Sequence, residues 1–191
     1  MKKTLILTSL LCVSMLNAQN NEATSELSKK QEGVKYIKML GKTLKTHLKT
    51  EMKADKTGLK AITFCTTKAD ELTKEINSKL PKGVLVRRTA LKTRAENNKP
   101  DILDMAVMES IIADMNKTNV DLGKPLMVET PSVYRVYKPL FIVPACMKCH
   151  GNEKTINPEV QKAISKNYPN DKAINFKLGD LRGVVVAEMK K

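Results

Sequence analysis

The sequence predicts an α+β domain, an antiparallel sheet with helices flanking it on the N-terminal side. Three observations predict it. Early in the chain, apolar residues recur at helical spacing over two long segments. Later, short runs rich in Val, Tyr and Leu are bounded by Gly, Pro and polar residues, as strands are. The two kinds of segment are grouped rather than strictly alternating, which argues against βαβ units and a parallel sheet.

The first 18 residues read as a secretory signal peptide. Lys2 and Lys3 form a basic start, residues 5–16 are mostly apolar, and Ala18 closes the stretch. Cys12 follows Leu11 rather than a small residue, which speaks against a lipoprotein cysteine. No later run approaches the ~20 apolar residues of a spanning helix. The expectation is an exported, periplasmic protein with no membrane span. Residues 19–33 are polar and read as a loose lead-in, so the folded domain is expected over 34–191.

Within it, Val34, Ile37, Leu40, Leu44 and Leu48 form a helical stripe, with His47 on or near it. A charged break runs to Thr57-Gly58. Leu59, Ile62, Cys65, Ala69, Leu72 and Ile76 step by three and four, so one helix points Cys65 at the core. Pro81-Lys82-Gly83 ends it, and 84–89 reads as a strand. Residues 91–100 read as a polar loop. Asp101 is a candidate N-cap for a helix to about Met115, with Met105, Met108, Ile112 and Met115 as its buried stripe. Strands are expected over 126–130 and 133–141, the second broken or at an edge because of Pro139. A short helix over 158–167 and a terminal strand over 183–189 complete the chain.

One motif carries chemistry. Cys146-Met147-Lys148-Cys149-His150 is C-x-x-C-H, the attachment signature of a c-type haem. Two thiols three positions apart each reach one porphyrin vinyl group, and the next histidine is held under the iron as proximal ligand. Gly151 offers backbone freedom beside that crowded site. A redox dithiol would need a βαβ setting that this stretch lacks. Zinc would need a fourth, remote ligand, and adjacent Cys149 and His150 suit a tetrahedron poorly. The expected cofactor is therefore one covalent haem c per chain. Export agrees with it, since bacterial haem attachment takes place outside the cytoplasm.

The second axial position has few candidates. Cys12 leaves with the signal peptide, and Cys146 and Cys149 go to the haem. That leaves Cys65, the lone second histidine His47, a methionine, or water. Arg87, Arg88, Arg94 and Arg182 are candidates to pair with the haem propionates, because a guanidinium matches a carboxylate in bidentate geometry. Of the adjacent pair, Arg88 shares a strand face with Val84 and Val86.

Longer stretches then point to a family. They are Ala61-Ile62-Thr63-Phe64-Cys65, Val86-Arg87-Arg88-Thr89-Ala90-Leu91-Lys92-Thr93-Arg94 with Asn98-Lys99-Pro100-Asp101, and Tyr137-Lys138-Pro139-Leu140. Tyr168-Pro169-Asn170-Asp171-Lys172-Ala173 and Leu178-Gly179-Asp180-Leu181-Arg182-Gly183 follow the haem motif. With these, residues 34–191 resemble a family of bacterial single-haem c-type proteins with a PAS-like sensor fold, known as a domain of unknown function. The resemblance implies a PAS-like antiparallel sheet and a cysteine on the early helix as second axial ligand, here Cys65 opposite His150. The chain departs from the family at Ala95-Glu96, where Asn-Pro is usual, and at Leu103, where an aromatic is usual.

A His/thiolate pair would favour ferric over ferrous iron. Reduction would weaken the hold on Cys65 and open a position for a diatomic gas. The leading expectation is thus a redox or gas sensor, with a low-potential electron-transfer cytochrome as the alternative. No further domain is expected to carry the output, so a separate signalling partner would have to. An enzyme is not expected, because peroxidase-like chemistry needs an open distal side with acid–base residues. The net charge of +14, less the two leader lysines, suits an acidic protein partner or an anionic surface, and export excludes nucleic acid.

Overall fold

The computed structural model describes residues 9–115, 117, 118 and 121–191, with side chains from residue 25. The expected signal peptide therefore begins outside the described residues, and Lys2 and Lys3 lie there.

Helix α1 (Ser9–Ala54) runs unbroken through residues 19–33, which polarity alone marked as loose. The reason is local. Glu26, Leu27, Lys29, Lys30, Gln31 and Glu32 are all strong helix formers. Lys29 pairs with Glu32 at 3.0 Å, and the Tyr36 hydroxyl donates to Glu32 at 2.8 Å. Gly33 follows where the helix backbone lies close against Val136 and Met189 of the sheet. A Cβ there would stand 2.4 Å from the Val136 side chain.

The single helix expected over 59–76 is two, α2 (Leu59–Thr67) and α3 (Ala69–Ser78), broken at Lys68. A threonine run explains the break. Hydroxyls of Thr63, Thr66 and Thr67 donate back to the carbonyls of Leu59, Thr63 and Thr63, a habit that bends helices.

Four strands form one antiparallel sheet: β1 (Val84–Thr89), β2 (Leu126–Glu129), β3 (Val133–Phe141) and β4 (Leu181–Lys190). Their order is β1-β4-β3-β2, so the C-terminal strand lies between β1 and β3. This is the α+β fold expected from the sequence. Pro139 does not break β3, which runs through it. Because β2 pairs only with Tyr134 to Tyr137, the side of β3 beyond is a local edge where the missing N–H is harmless.

Strand alternation sorts the two faces. Val86, Val136, Val185, Ala187 and Met189 pack against Tyr36, Ile37 and Leu40 of α1 and Ile76 of α3. Tyr137, Val184 and Val186 pack against α4 (Ile102–Asp114) on the other face. Asp101 caps α4 in a reciprocal capping box with Asp104. The buried stripe of α4 differs from the expected one: Asp104, Val107, Met108 and Ile111 point inward, while Met105 and Ile112 are exposed. The helix is apolar almost all round, so periodicity could not choose its face. Asp104 chooses it, by reaching Arg87, Arg135 and Tyr137.

Candidate functional site

Residues 144–150 form two short turns, Pro144–Cys146 and α5 (Met147–His150). Gly151 has an ordinary φ of −72°, so its role is room rather than conformational freedom. A Cβ at Gly151 would lie 2.6 Å from the Met147 carbonyl oxygen. The segment after helix α6 (Pro158–Asn167) is zipped onto this turn. Asn175 N–H donates to the Gly151 carbonyl at 2.8 Å and Phe176 N–H to the His150 carbonyl at 3.0 Å. Lys148 Nζ donates to the Lys56 carbonyl, tying the motif to the turn between α1 and α2.

His150 is half-buried and held on both sides. Its Nδ1 lies 2.7 Å from the Ala173 carbonyl oxygen, and Phe176 meets its ring edge-on, 6.2 Å between centroids. A carbonyl can only accept, so Nδ1 is the protonated nitrogen and Nε2 carries the lone pair, which accepts a long hydrogen bond from Arg182 Nε at 3.5 Å. A bond such as that from Nδ1 is the usual support of a metal-bound histidine. Burial, with Arg182 and Arg94 nearby, holds the ring's protonation well below the ordinary histidine range. At neutral pH it is the neutral, ligating form.

Two of the four predicted arginines, Arg94 and Arg182, stand next to it, and Arg88 lies near enough to Arg182 for their charges to be felt. Arg94 Nη2 donates to the carbonyls of Cys149 (2.6 Å) and Ala173 (3.0 Å) and lies 3.0 Å from Asp171. Its Nε is buried without a hydrogen-bond partner. Arg182 Nε approaches His150 Nε2 at 3.5 Å, Nη1 donates to the Lys92 carbonyl, and the guanidinium lies over Phe176. Burial, and Arg94 next to it, pull the Arg182 pKa down to about 10. Arg88 sits 3.7 Å from the exposed Asp70. Arg87 points through the opposite face to Asp104 and takes no part.

Cys65 of α2 lies in an apolar cluster with Ile62, Ile156, Val160 and Ile164, and Cys149 packs into the same cluster. Burial pushes the Cys65 thiol up, against the pull of Arg88, Arg94 and Arg182. Burial likewise pushes Cys149 up to about 11. Cys146 packs instead with Ile142, Ala173 and Phe176. The structure thus brings Cys65, Cys146, Cys149 and His150 into one neighbourhood, from segments about 80 residues apart. His47 is elsewhere: exposed on α1, it stacks flat on Phe64 with centroids 5.6 Å apart. Met108 lies in the α4 cluster across the sheet.

The sequence reading missed Asp171, Phe176, the Ala173 carbonyl and Tyr168, whose hydroxyl donates to the Cys65 carbonyl at 3.2 Å. The Tyr-Pro-Asn-Asp turn signal was visible, but its contact with α2 was not. Among the described residues no three His, Cys, Asp or Glu side chains converge as a cage for a metal ion. A porphyrin supplies four of six iron donors itself and asks the protein for two. A buried cationic cluster with an unpartnered guanidinium nitrogen beside a neutral, oriented imidazole fits such a dianionic, iron-bearing group.

The family model described as Tll0287-like matches residues 10–189. No curated protein matches the chain. Among solved structures, the crystal structure of the cyanobacterial haem-protein Tll0287 shares the fold. Its TM-score is 0.51 at 24% identity, covering 64% of this chain and 70% of that one.

Proposed function

The chain belongs to the Tll0287-like family, and from that membership we propose that it is an exported protein carrying one covalent haem c and acting as a redox or gas sensor. Cys146 and Cys149 would hold the haem through thioethers, and His150 Nε2 and Cys65 would be the protein's two ligands to its iron. Arg94 and Arg182, with Arg88 at the margin, answer the propionate charges. Bound haem supplies a one-electron iron couple and, when an axial position opens, a seat for a diatomic gas.

The observation that carries this reading is the hydrogen bond from His150 Nδ1 to the Ala173 carbonyl, which puts the lone pair on Nε2, where only a long 3.5 Å bond from Arg182 Nε would have to give way to iron. The relative's haem, the C-x-x-C-H spacing and the shared cluster of Cys65 and Cys149 support it further. Cys65 is the displaceable element, since a thiolate's negative charge is stabilised more by ferric than by ferrous iron. The apolar wall of Ile62, Val160 and Ile164 would receive the released side chain as a neutral thiol. Its role is binding and response, not catalysis.

A second reading, electron transfer, is favoured by one observation. Val143, Pro144 and Ala145, which lead into Cys146, are all exposed; the bond from Gly179 N–H to the Ile142 carbonyl joins them to the segment of Lys177 and the 60% exposed Leu178, and Lys92 lies over Phe176. Such a rim suits an acidic redox partner.

The test is the absorption spectrum of the ferric protein, wild type against Cys65→Ser. Loss of a thiolate charge-transfer band is expected, and an unchanged spectrum removes Cys65 from the iron. Colour that acid–acetone strips from the protein rules out covalent attachment. A Soret shift when reduced protein meets CO or NO favours the sensor. No shift, with fast electron exchange, favours electron transfer.

A further inference from the structure

Away from the haem site, the outer surface of α1 has a character of its own. Lys35, Lys38, Lys42, Lys45, Lys49 and Lys53 are all exposed. They step by three and four residues, so they fall within one narrow arc of the helix, opposite the buried Tyr36, Ile37 and Leu40. Eighteen residues at 1.5 Å per residue make a straight ridge of about 27 Å. Between Lys35 and Lys53 the only carboxylate is Glu51, which the same periodicity puts on the opposite, inner side. Among the described residues none of the six lysines forms an ion pair, whereas Lys29, Lys68, Lys79, Lys99, Lys117, Lys124 and Lys191 each do.

Beside this ridge lies an open groove of about 650 Å³ between α1 and Pro125. Leu27, Val34, Met39 and Pro125 give it apolar walls, and Lys35, Lys38 and Lys42 of the ridge stand on its rim. Ridge and groove together are amphiphilic: a line of one charge sign with an apolar slot along its edge.

We propose that this face of α1 docks on an anionic phospholipid bilayer. A membrane surface is a flat, laterally continuous array of negative headgroups, and a long straight cationic ridge can engage many at once. The groove offers the acyl–headgroup boundary an apolar contact that a purely acidic polypeptide would not use. No helix of the described residues is long and apolar enough to cross a membrane, so contact is lateral and reversible. Docking would leave the haem side, beyond α2, facing away from the helix's outer surface.

The experiment is co-sedimentation of the purified mature protein with vesicles of phosphatidylcholine alone or with about 30% phosphatidylglycerol, read by gel. Binding only to the anionic vesicles is expected, with release in about 0.5 M NaCl. K38E/K42E/K45E/K49E is expected to lower the partition coefficient at least about a hundredfold. K74E/K82E/K162E/K166E, with the same change of net charge elsewhere, should stay within about fivefold of wild type. K38Q/K42Q/K45Q/K49Q carries the test if the first variant does not fold by circular dichroism. The proposal is overturned by equal binding to neutral vesicles, by an unaffected ridge variant, or by equal losses in both quadruple variants. Binding to soluble polyglutamate as tight as to vesicles also overturns it, and would make the partner an acidic protein.

Discussion

Two arginine clusters stand on opposite sides of this molecule, and they are built on different terms. On the α4 side, Arg87 grips Asp104 with both Nη atoms, at 2.7 and 3.1 Å. Arg135 reaches Asp101 and Glu188, each at 2.6 Å. Tyr137 adds its hydroxyl to Asp104 at 3.2 Å. Two cations meet three carboxylates, and every strong donor has an acceptor. Around His150, Arg94 has one close carboxylate, Asp171, Arg88 reaches only the exposed Asp70 at 3.7 Å, and among the described residues Arg182 has no carboxylate at ion-pair distance. The rest of their bonding goes to backbone carbonyls and, from Arg182, to His150 Nε2, while Arg94 Nε and Asp171 Oδ2 are both buried without a hydrogen-bond partner. A balanced cluster holds a fold together. An unbalanced one leaves positive charge unanswered, and this is the charge that the proposed binding of haem propionates would use.

The largest expected effect separates the two. Asp104→Ala leaves Arg87 and Arg135 facing an apolar hole, and should cost about 3 kcal/mol or more in urea unfolding. It should leave the reduction potential of the proposed haem where it was, because the sheet stands between. Arg182→Gln should do the reverse. Arg182 has its folded pKa drawn down to about 10. A cation with a lowered folded pKa weakens the fold at every pH below that value unless an anion answers it, so losing the charge costs less than about 1 kcal/mol. The same loss removes positive charge near the iron, and the potential should fall. Equal stability losses in the two variants would erase the distinction between the clusters.

An intermediate effect tests how the haem side keeps its geometry. Phe176 meets His150 edge-on and lies under both Arg182 and Lys92. Phe176→Leu keeps the apolar contact with Ile142 but loses the ring interactions, about 1 kcal/mol. For a chain of this size that is roughly 2–4 °C in Tm, read by thermal unfolding. A Tm unchanged from wild type would show that backbone bonds alone orient His150.

How much of this was legible beforehand depended on sequence distance. The C-x-x-C-H motif on which the proposed haem attachment rests is written within five residues, and the apolar stripe over 59–76 was enough to turn Cys65 toward Ile62 and its cluster. Strand alternation was enough to put Arg88, not Arg87, on the α1 face. The helical state of residues 19–33 was not legible, because polar helix formers read the same in a coil. Nor was the face of α4, where apolar residues surround the helix and the deciding group is one buried aspartate. The contacts that hold His150 come from Ala173 and Phe176, more than 20 residues on, and Arg94 reaches it across 55 or more. Closure over such spans is decided by tertiary packing, which no local pattern encodes.

The smallest effect uses the adjacent pair, where one chemical change is made on each side of the sheet. Lysine keeps the positive charge but gives up the planar fork. At Arg87 the fork is in use: two bonds to an Asp104 that is wholly buried. Arg87→Lys should therefore cost about 1–2 kcal/mol, since one carboxylate oxygen loses its charged donor. At Arg88 the nearest carboxylate, Asp70, is 3.7 Å away and 54% exposed, a surface pair of little worth. Arg88→Lys should change unfolding by less than about 0.5 kcal/mol, within the scatter of exposed substitutions. The two variants differ by one position and an identical exchange, so composition and helix or strand propensity cancel between them. Urea titration of the pair side by side then reads only what each face asks of its guanidinium. A loss at Arg88 as large as that at Arg87 would mean that the face of the proposed haem site, too, is held by fork geometry rather than left open for a ligand's charge.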